Sequence, residues 1–227
     1  CETIRPMIEL ARAELARYID HTLLKPEAIP ADIRALAVEA VEFGVHAICI
    51  PPSTVRVATA EHLGTVQVAS VCGFPSGQHL ARVKASEAAG AVGDGATEID
   101  MVIDLGALRC GRTDLVAAEI RAVRAAVPHI PLKVIIESAV LTDAQIVTAC
   151  RTAERAGADF VKTSTGFHPA GGASLHSVRL MRQTVGDRLG VKASGGIRDY
   201  ASAIAMIEAG ATRLGMSATA RVLAEAG

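Results

Sequence analysis

Tryptophan is absent from this chain of 227 residues, and two tyrosines with four phenylalanines bring its aromatic content to only 3%. So few flat apolar rings leave little with which to stack nucleobases. Neither sign of charge predominates: 23 Lys and Arg stand against 24 Asp and Glu, a formal net charge of −1. A chain so balanced offers no electrostatic footprint for nucleic acid or an anionic membrane surface. Nor does any apolar run approach the ~18 to 20 residues that cross a bilayer, and the N-terminus lacks a secretory signal pattern. These gaps lead us to expect a cytosolic protein. Cysteine is scarce, with Cys1, Cys49, Cys72, Cys110 and Cys150 widely spaced, odd in number and without a CxxC pair. Reduced thiols fit that distribution better than a disulfide framework or a zinc site. The seven histidines show no metal-ligand spacing either. A chain that opens on Cys1 instead of Met also points to trimming at that end.

What is present is apolar bulk in a regular arrangement. Half of the residues are hydrophobic, enough for a substantial core, and an α/β barrel of this length is commonly one domain, here residues 1–227. Strand-like runs at 18–24, 47–50, 66–71, 98–103, 132–137, 160–164, 190–193 and 212–216 recur at a steady interval. Between them lie helix-period segments at 31–43, 53–62, 79–91, 114–126, 143–155, 175–185 and 200–209, with a last one from 217. Thr142 and Asp199 stand where N-caps belong, and Gly44, Gly157 and Gly210 where C-caps belong. Eight strands each followed by a helix predict a single-domain (β/α)8 TIM barrel, with a doubly wound open sheet as the competing arrangement.

Two lysines stand out against that background. Lys162 and Lys192 each lie on a short apolar run that opens into a turn of small residues, Thr-Ser-Thr-Gly166 and Ala-Ser-Gly-Gly196. An unpaired buried ammonium is costly, and burial lowers its pKa. A lone lysine at a strand end usually snorkels to water, but two in equivalent positions suggest chemistry. An ordinary lysine, with pKa about 10.4, is neutral roughly once in a thousand molecules at pH 7.4. Lowering that value to near 7 takes about 4 kcal/mol, which burial and one adjacent ammonium can supply, and the free amine then attacks a carbonyl.

Period-two alternation adds polar company. Asp100 shares a strand face with Glu98 and Val102; Lys133 shares one with Ile135 and Glu137, and Lys162 with Phe160 and Ser164. A barrel lumen with Asp100, Lys133, Glu137, Lys162 and Lys192 would hold more charge than a structural core tolerates, so a site is expected at the carboxyl ends of the strands. The turns there carry Gly166, Gly195, Gly196 and Ser217, whose unobstructed backbone N–H groups suit a phosphate.

Together these segments resemble the deoxyribose-phosphate aldolase family along nearly the whole chain. The motifs are Asp20-His-Thr-Leu-Leu-Lys-Pro26, Ala47-Ile-Cys-Ile-Pro51, Val71-Cys-Gly-Phe-Pro75, Glu98-Ile-Asp-Met-Val-Ile103, Leu132-Lys-Val-Ile-Ile-Glu137, Phe160-Val-Lys-Thr-Ser-Thr-Gly166 and Val191-Lys-Ala-Ser-Gly-Gly-Ile-Arg198. The last two are highly specific as a pair. The resemblance implies a class I aldolase that reversibly cleaves 2-deoxy-D-ribose 5-phosphate into acetaldehyde and D-glyceraldehyde 3-phosphate, with no metal or other cofactor. It implies Lys162 as the Schiff-base lysine, Lys192 as the lysine that perturbs it and Asp100 as the carboxylate of the proton relay. It further implies that Asp20 lines the site near Lys192, that Gly166, Gly195, Gly196 and Ser217 hold phosphate, and that Cys49 lies within reach of aldehydes. The expected partners are a phosphorylated sugar and an aldehyde, neither nucleic acid nor membrane, with a homodimer as the assembly.

Two departures stand out. Family members often carry two small hydroxyl residues after the last strand, whereas here Ser217 is followed by Ala218, so the second contact would be a backbone N–H. Many members also end in a tail whose tyrosine assists proton transfer, and this chain ends at Gly227 without one. Water held by Asp100 and Lys192 is one replacement; a lost tail is the other reading. A transaldolase-like or keto-acid aldolase would share the lysine and the phosphate turns but not the full motif set. A catalytically silent barrel would have lost Lys162 or Lys192.

Overall fold

The computed structural model describes residues 8–226. Its eight strands, β1 (Ile19–Thr22), β2 (Ala47–Ile50), β3 (Gln67–Cys72), β4 (Glu98–Val102), β5 (Leu132–Ile135), β6 (Phe160–Lys162), β7 (Gly190–Ser194) and β8 (Arg213–Met216), run parallel in chain order. β8 pairs back onto β1, which closes the barrel and leaves no sheet edge. Around it stand α1 (Arg12–Ala16), α2 (Pro30–Phe43), α3 (Val55–Thr59), α4 (Ala81–Gly93), α5 (Leu105–Arg109), α6 (Thr113–Ala126), α7 (Asp143–Arg155), α8 (Leu175–Val185), α9 (Tyr200–Glu208) and α10 (Thr219–Ala224). The expected TIM barrel is what the chain forms, and the open doubly wound sheet is not.

Strand alternation sorts the side chains into two compartments. Ile48, Ile99, Met101, Val134, Val161, Val191 and Leu214 face the helices and merge into one continuous apolar core. The intervening residues Asp20, Cys49, Val71, Asp100, Lys133, Lys162, Lys192 and Arg213 are left for the lumen, where Cys49, Ala69 and Val71 form a small apolar cluster of their own. Register then sets their heights: Asp100 is level with Lys133, Lys162 with Lys192, and Lys192 with Arg213.

The helix-to-strand joints repeat one solution. Val45, Ala96, Ala158 and Ala211 each donate an N–H to the carbonyl five residues back, across a glycine or glycine-containing turn with positive φ. Two of these joints are tied down by an arginine from the preceding unit. Arg124 Nε donates to Gly157 O at 2.9 Å, and Arg182 Nε donates to Gly210 O at 3.0 Å. A Cβ on Gly210 would come within 2.6 Å of the Arg182 stem, so the glycine also makes room for the arginine.

The observed elements depart from the sequence reading in a few places. The run 132–137 stops as a strand at Ile135, because Glu137 turns left-handed with φ 51°. The run 160–164 stops at Lys162, where the chain begins to wrap around the β5 end. The helix expected at 53–62 divides into a 3-10 turn at Pro52–Thr54 and the short α3. α1 and α5 were not anticipated; each is five residues, too short to display a helical period, and α5 is fixed by the Asp104 side chain accepting from Ala107 N. Cys1 lies outside the described residues, while Cys49, Cys72, Cys110 and Cys150 are free thiols.

Two glycine substitutions should move stability in opposite directions. Gly90 sits inside α4 with open space where a Cβ would go, so Gly90→Ala should raise stability by about 0.5–1 kcal/mol. Gly190 lies against Phe160, whose ring would be 2.1 Å from an added Cβ, and that ring in turn lies 5.4 Å beneath the Arg213 guanidinium. Gly190→Ala should lose about 1–3 kcal/mol. Denaturant titration of both variants checks the pair, and a neutral Gly190→Ala would refute the packing argument.

Candidate active site

The lumen holds a single network of ion pairs centred on Asp100, which is fully buried. Lys162 Nζ and Lys192 Nζ both donate to Asp100 Oδ2, each at 2.7 Å, and Lys133 Nζ donates to Oδ1 at 2.7 Å. The two amines on one oxygen are thus no further apart than two hydrogen bonds laid end to end. Lys192 also donates to Asp20, and Lys133 pairs with Glu98 at 2.5 Å. Arg213 closes the ring, reaching Asp20 Oδ1 at 2.9 Å and Glu98 Oε2 at 3.2 Å, and His46 Nε2 lies 3.0 Å from Glu98 Oε1. Gly215 has no side chain because the Lys192 stem passes there; a Cβ would sit 3.1 Å from Lys192 Cε.

Charge and burial oppose one another throughout this cluster. Burial pushes the Asp100 carboxyl up, but the ammonium groups of Lys133, Lys162 and Lys192 outweigh it and hold Asp100 well below the ordinary carboxylate range. Asp20 is likewise held down, by Lys192, Lys133 and Arg213 against its own burial, and Glu98 by His46, Lys133 and Arg213. Burial would strip Lys192 of its proton, but Asp100 and Asp20 more than compensate and raise its pKa. Lys192 is therefore a permanent cation at neutral pH. Burial pushes the Cys49 thiol up, so although its Sγ stands 3.9 Å from Asp100 Oδ2 it stays protonated.

Lys162 differs from its two neighbours in company and in access. Among the described residues its amine has Asp100 as its sole ionic partner, whereas Lys133 and Lys192 each have two. It also lines a cavity of about 440 Å³ at the carboxyl ends of the strands, which neither of the others reaches. Counted with every cation protonated, the network sets Lys133, Lys162, Lys192 and Arg213 against Asp20, Glu98 and Asp100. One positive charge is in surplus in that network.

The cavity runs from Lys162 to a floor of glycine backbone. Gly166, Gly195, Gly196 and Ser217 all line it, and none of their N–H groups donates to another of the described residues. The glycines are demanded by close approach: a Cβ on Gly172 would meet Gly195 O at 2.2 Å, and one on Gly195 would meet Gly172 Cα at 2.9 Å. Two loops thus pack backbone to backbone and expose their amides. Lys25, Arg198 and Arg221 also line the cavity, a cationic rim suited to an anion. On the far side Phe167 meets Phe74 edge-on, with ring centroids 5.2 Å apart.

The structure brings together every expected site residue, Asp20, Asp100, Lys162 and Lys192 in the lumen and Gly166, Gly195, Gly196 and Ser217 at its mouth. Lys133 does join the site, but Glu137 does not pair with it. The strand has ended by then, and Glu137 turns instead to Thr165. Sequence reasoning missed Arg213, His46 and the rim cations. Arg213 was within reach of it, since it shares a strand face with Gly215, whereas His46 precedes β2 and gives no periodic signal.

Acid should expose the network's contribution to stability. Carboxyls whose folded pKa lies below the ordinary value of 3.8 stabilise the fold fully above that pH and lose the contribution as pH falls beneath it. Asp100→Asn should therefore lose about 3–5 kcal/mol at neutral pH, because three buried ammonium groups lose a shared counter-charge. Its remaining stability should fall less steeply between about pH 4 and 2 than that of the parent. Equal stability at pH 7 by denaturant titration would show that Asp100 does not hold the cluster together.

Comparison with known proteins agrees with this geometry. A family profile described as DeoC/LacD family aldolase matches residues 15–221. The chain is 61% identical over 216 residues to a deoxyribose-phosphate aldolase of Mycobacterium tuberculosis, covering 93% of this chain and 96% of that one. It is 61% identical over 215 residues to the Kocuria rhizophila enzyme of the same name, covering 94% and 97%. Among solved structures, the tetrameric deoxyribose phosphate aldolase from Aeropyrum pernix superposes with a TM-score of 0.87 at 36% identity, covering 94% of this chain and 91% of that one. With a buried lysine pair on one carboxylate, an amide-lined mouth and matches spanning nearly its whole length, the chain belongs to the DeoC/LacD family of aldolases.

Proposed function

We propose that this protein is a class I deoxyribose-phosphate aldolase, reversibly cleaving 2-deoxy-D-ribose 5-phosphate to acetaldehyde and D-glyceraldehyde 3-phosphate through a Schiff base on Lys162. The observation that carries this reading is the shared oxygen Asp100 Oδ2, with Lys162 and Lys192 each 2.7 Å from it and Lys162 alone of the two opening to the cavity. The neutral Lys162 amine adds to the aldehyde carbon of the open-chain sugar, and loss of water gives an iminium. As the bond between the second and third carbons breaks, its electron pair moves toward the iminium and leaves an enamine, while the third carbon's hydroxyl gives up its proton and becomes the aldehyde of the leaving product. Protonation of the enamine carbon and hydrolysis then release acetaldehyde and restore the amine.

The proton steps fall to Asp100 and Lys192. Asp100, through water that it holds with Lys192, takes the proton that the third carbon's hydroxyl gives up and returns it to the enamine carbon, while Lys192 keeps its own proton and its charge beside Lys162. Gly166, Gly195, Gly196 and Ser217 hold the phosphate through backbone N–H groups, with Arg198 at the rim. The reading takes residues 1–227 as one domain and includes a cytoplasmic location, which free, mostly buried thiols favour. No described helix is long and apolar enough to cross a membrane. It also includes a homodimer, for which the exposed Val38 and Val41 of α2 offer apolar surface.

Acetaldehyde with a borohydride reductant should add one ethyl group to Lys162, located by peptide mass mapping, and Lys162→Arg should abolish both adduct and turnover. If the adduct appears only on other lysines, the assignment fails. Lys192→Met removes a permanent cation beside Lys162, so trapping should require a more alkaline pH, with activity at neutral pH lost. An unshifted trapping profile would reject electrostatic activation. Ser217→Glu should raise KM for the phosphorylated sugar by about ten-fold or more while sparing unphosphorylated deoxyribose. Equal losses on the two substrates would displace the phosphate site.

A further inference from the structure

Glu137 is buried, with 1% of its surface exposed, and it is the sole non-glycine residue with positive φ among the described residues. At φ 51° a side chain crowds its own backbone, and glutamate lacks the short amide that makes asparagine tolerable there. Such a conformation persists only where the surroundings impose it. They do so on both sides. Ile136 N donates to Lys162 O at 3.0 Å and Ser138 N to Thr163 O at 2.7 Å, so the backbone flanking Glu137 is fastened to the stretch that carries Lys162.

The left-handed turn aims the carboxylate at the next loop. Thr165 Oγ1 donates to Glu137 Oε2 at 2.6 Å, and Thr165 N approaches the two oxygens at 3.2 and 3.3 Å. The same Thr165 hydroxyl then accepts from Phe167 N at 3.1 Å. Residues 165 to 167 are therefore wound around one carboxylate, and Gly166, between the two anchored residues, is left with its N–H uncommitted and its Cα facing Gly195. A carboxylate so close to an anion site is otherwise unfavourable. Here Thr165 gives it two donors, a hydroxyl and a backbone N–H.

We infer that Glu137 is a positioning residue for the substrate's phosphate group: through Thr165 it sets where the Gly166 amide stands relative to the Lys162 amine and to the Gly195–Gly196 turn. This rests on the phosphate reading given above. Its function-specific signature is a loss confined to the phosphate end, because Glu137 touches neither Lys162 nor the reacting carbons.

Glu137→Gly tests this with the backbone penalty removed, since glycine accepts positive φ. If the carboxylate only served the fold, this variant would keep its affinity for phosphate. The expected result is a KM for 2-deoxy-D-ribose 5-phosphate raised about ten-fold or more, an equal rise in the inhibition constant of inorganic phosphate, and a KM for unphosphorylated deoxyribose that moves far less. Glu137→Gln, which keeps one acceptor oxygen, should fall between the two, and it stands in should Glu137→Gly fold poorly. Thr165→Ser should bind phosphate as the parent does, and Thr165→Val should reproduce the loss. Equal effects on both substrates, or an unchanged phosphate inhibition constant in Glu137→Gly and Thr165→Val, would overturn the inference. Failure of the phosphate reading itself would look different: inorganic phosphate would not compete even in the parent protein.

Discussion

A carboxylate with no solvent exposure that accepts from three lysines cannot exist in halves. Without Asp100 the lysines would be buried cations of like charge, and without the lysines Asp100 would be a buried anion; either state is far more costly than the assembled cluster. The remaining lumen follows from that constraint. Glu98 and Asp20 serve the outer sides of Lys133 and Lys192, Arg213 bridges those two carboxylates, and Gly215 vacates the space that the Lys192 stem occupies. The interior of this barrel is consequently not its apolar core. That duty lies between sheet and helices, where the continuous hydrophobic cluster is found.

On the proposed reading, the same arrangement selects which lysine reacts. All three amines stand at 2.7 Å from Asp100, so distance to the carboxylate does not distinguish them. Partner number does. Lys133 and Lys192 are each held between two carboxylates and keep their protons, while Lys162 has one carboxylate that it shares with two competitors. It is also the lysine that reaches the cavity. A nucleophile must be accessible, and among these three lysines only Lys162 lines the cavity.

Much of this was legible in the chain because barrel periodicity is simple. Alternation within strands separated Asp100, Lys133, Lys162 and Lys192 from their outward neighbours, and the glycine turns after Lys162 and Lys192 marked the mouth. What alternation could not reveal lay beyond the strand ends. Glu137 was placed on the Lys133 face on the assumption that the strand continued, but a residue in the left-handed region points wherever its turn sends it. The partners of His46 and Arg213 also stayed hidden. Their contacts run across the barrel between strands distant in sequence, as from residue 213 to residue 98, and no local pattern encodes such a pairing.

The two ends of the site are set by different kinds of interaction, and β6 joins them. At Lys162 position is fixed by charge, in a network whose members cannot move without exposing an unpaired ion. Three and four residues further on, at Thr165 and Gly166, position is fixed by hydrogen bonds to the carboxylate of Glu137, whose backbone is left-handed, and by glycine-to-glycine packing. β6 is just three residues long and ends at Lys162, so the span from the amine to the uncommitted amides at the mouth is a property of the loop and not of the sheet. On the proposed reading, a substrate anchored there by its phosphate presents its aldehyde carbon to that amine. On that reading the register of the loop on β5, through Ile136, Glu137 and Ser138, bears on catalysis alongside the lysines.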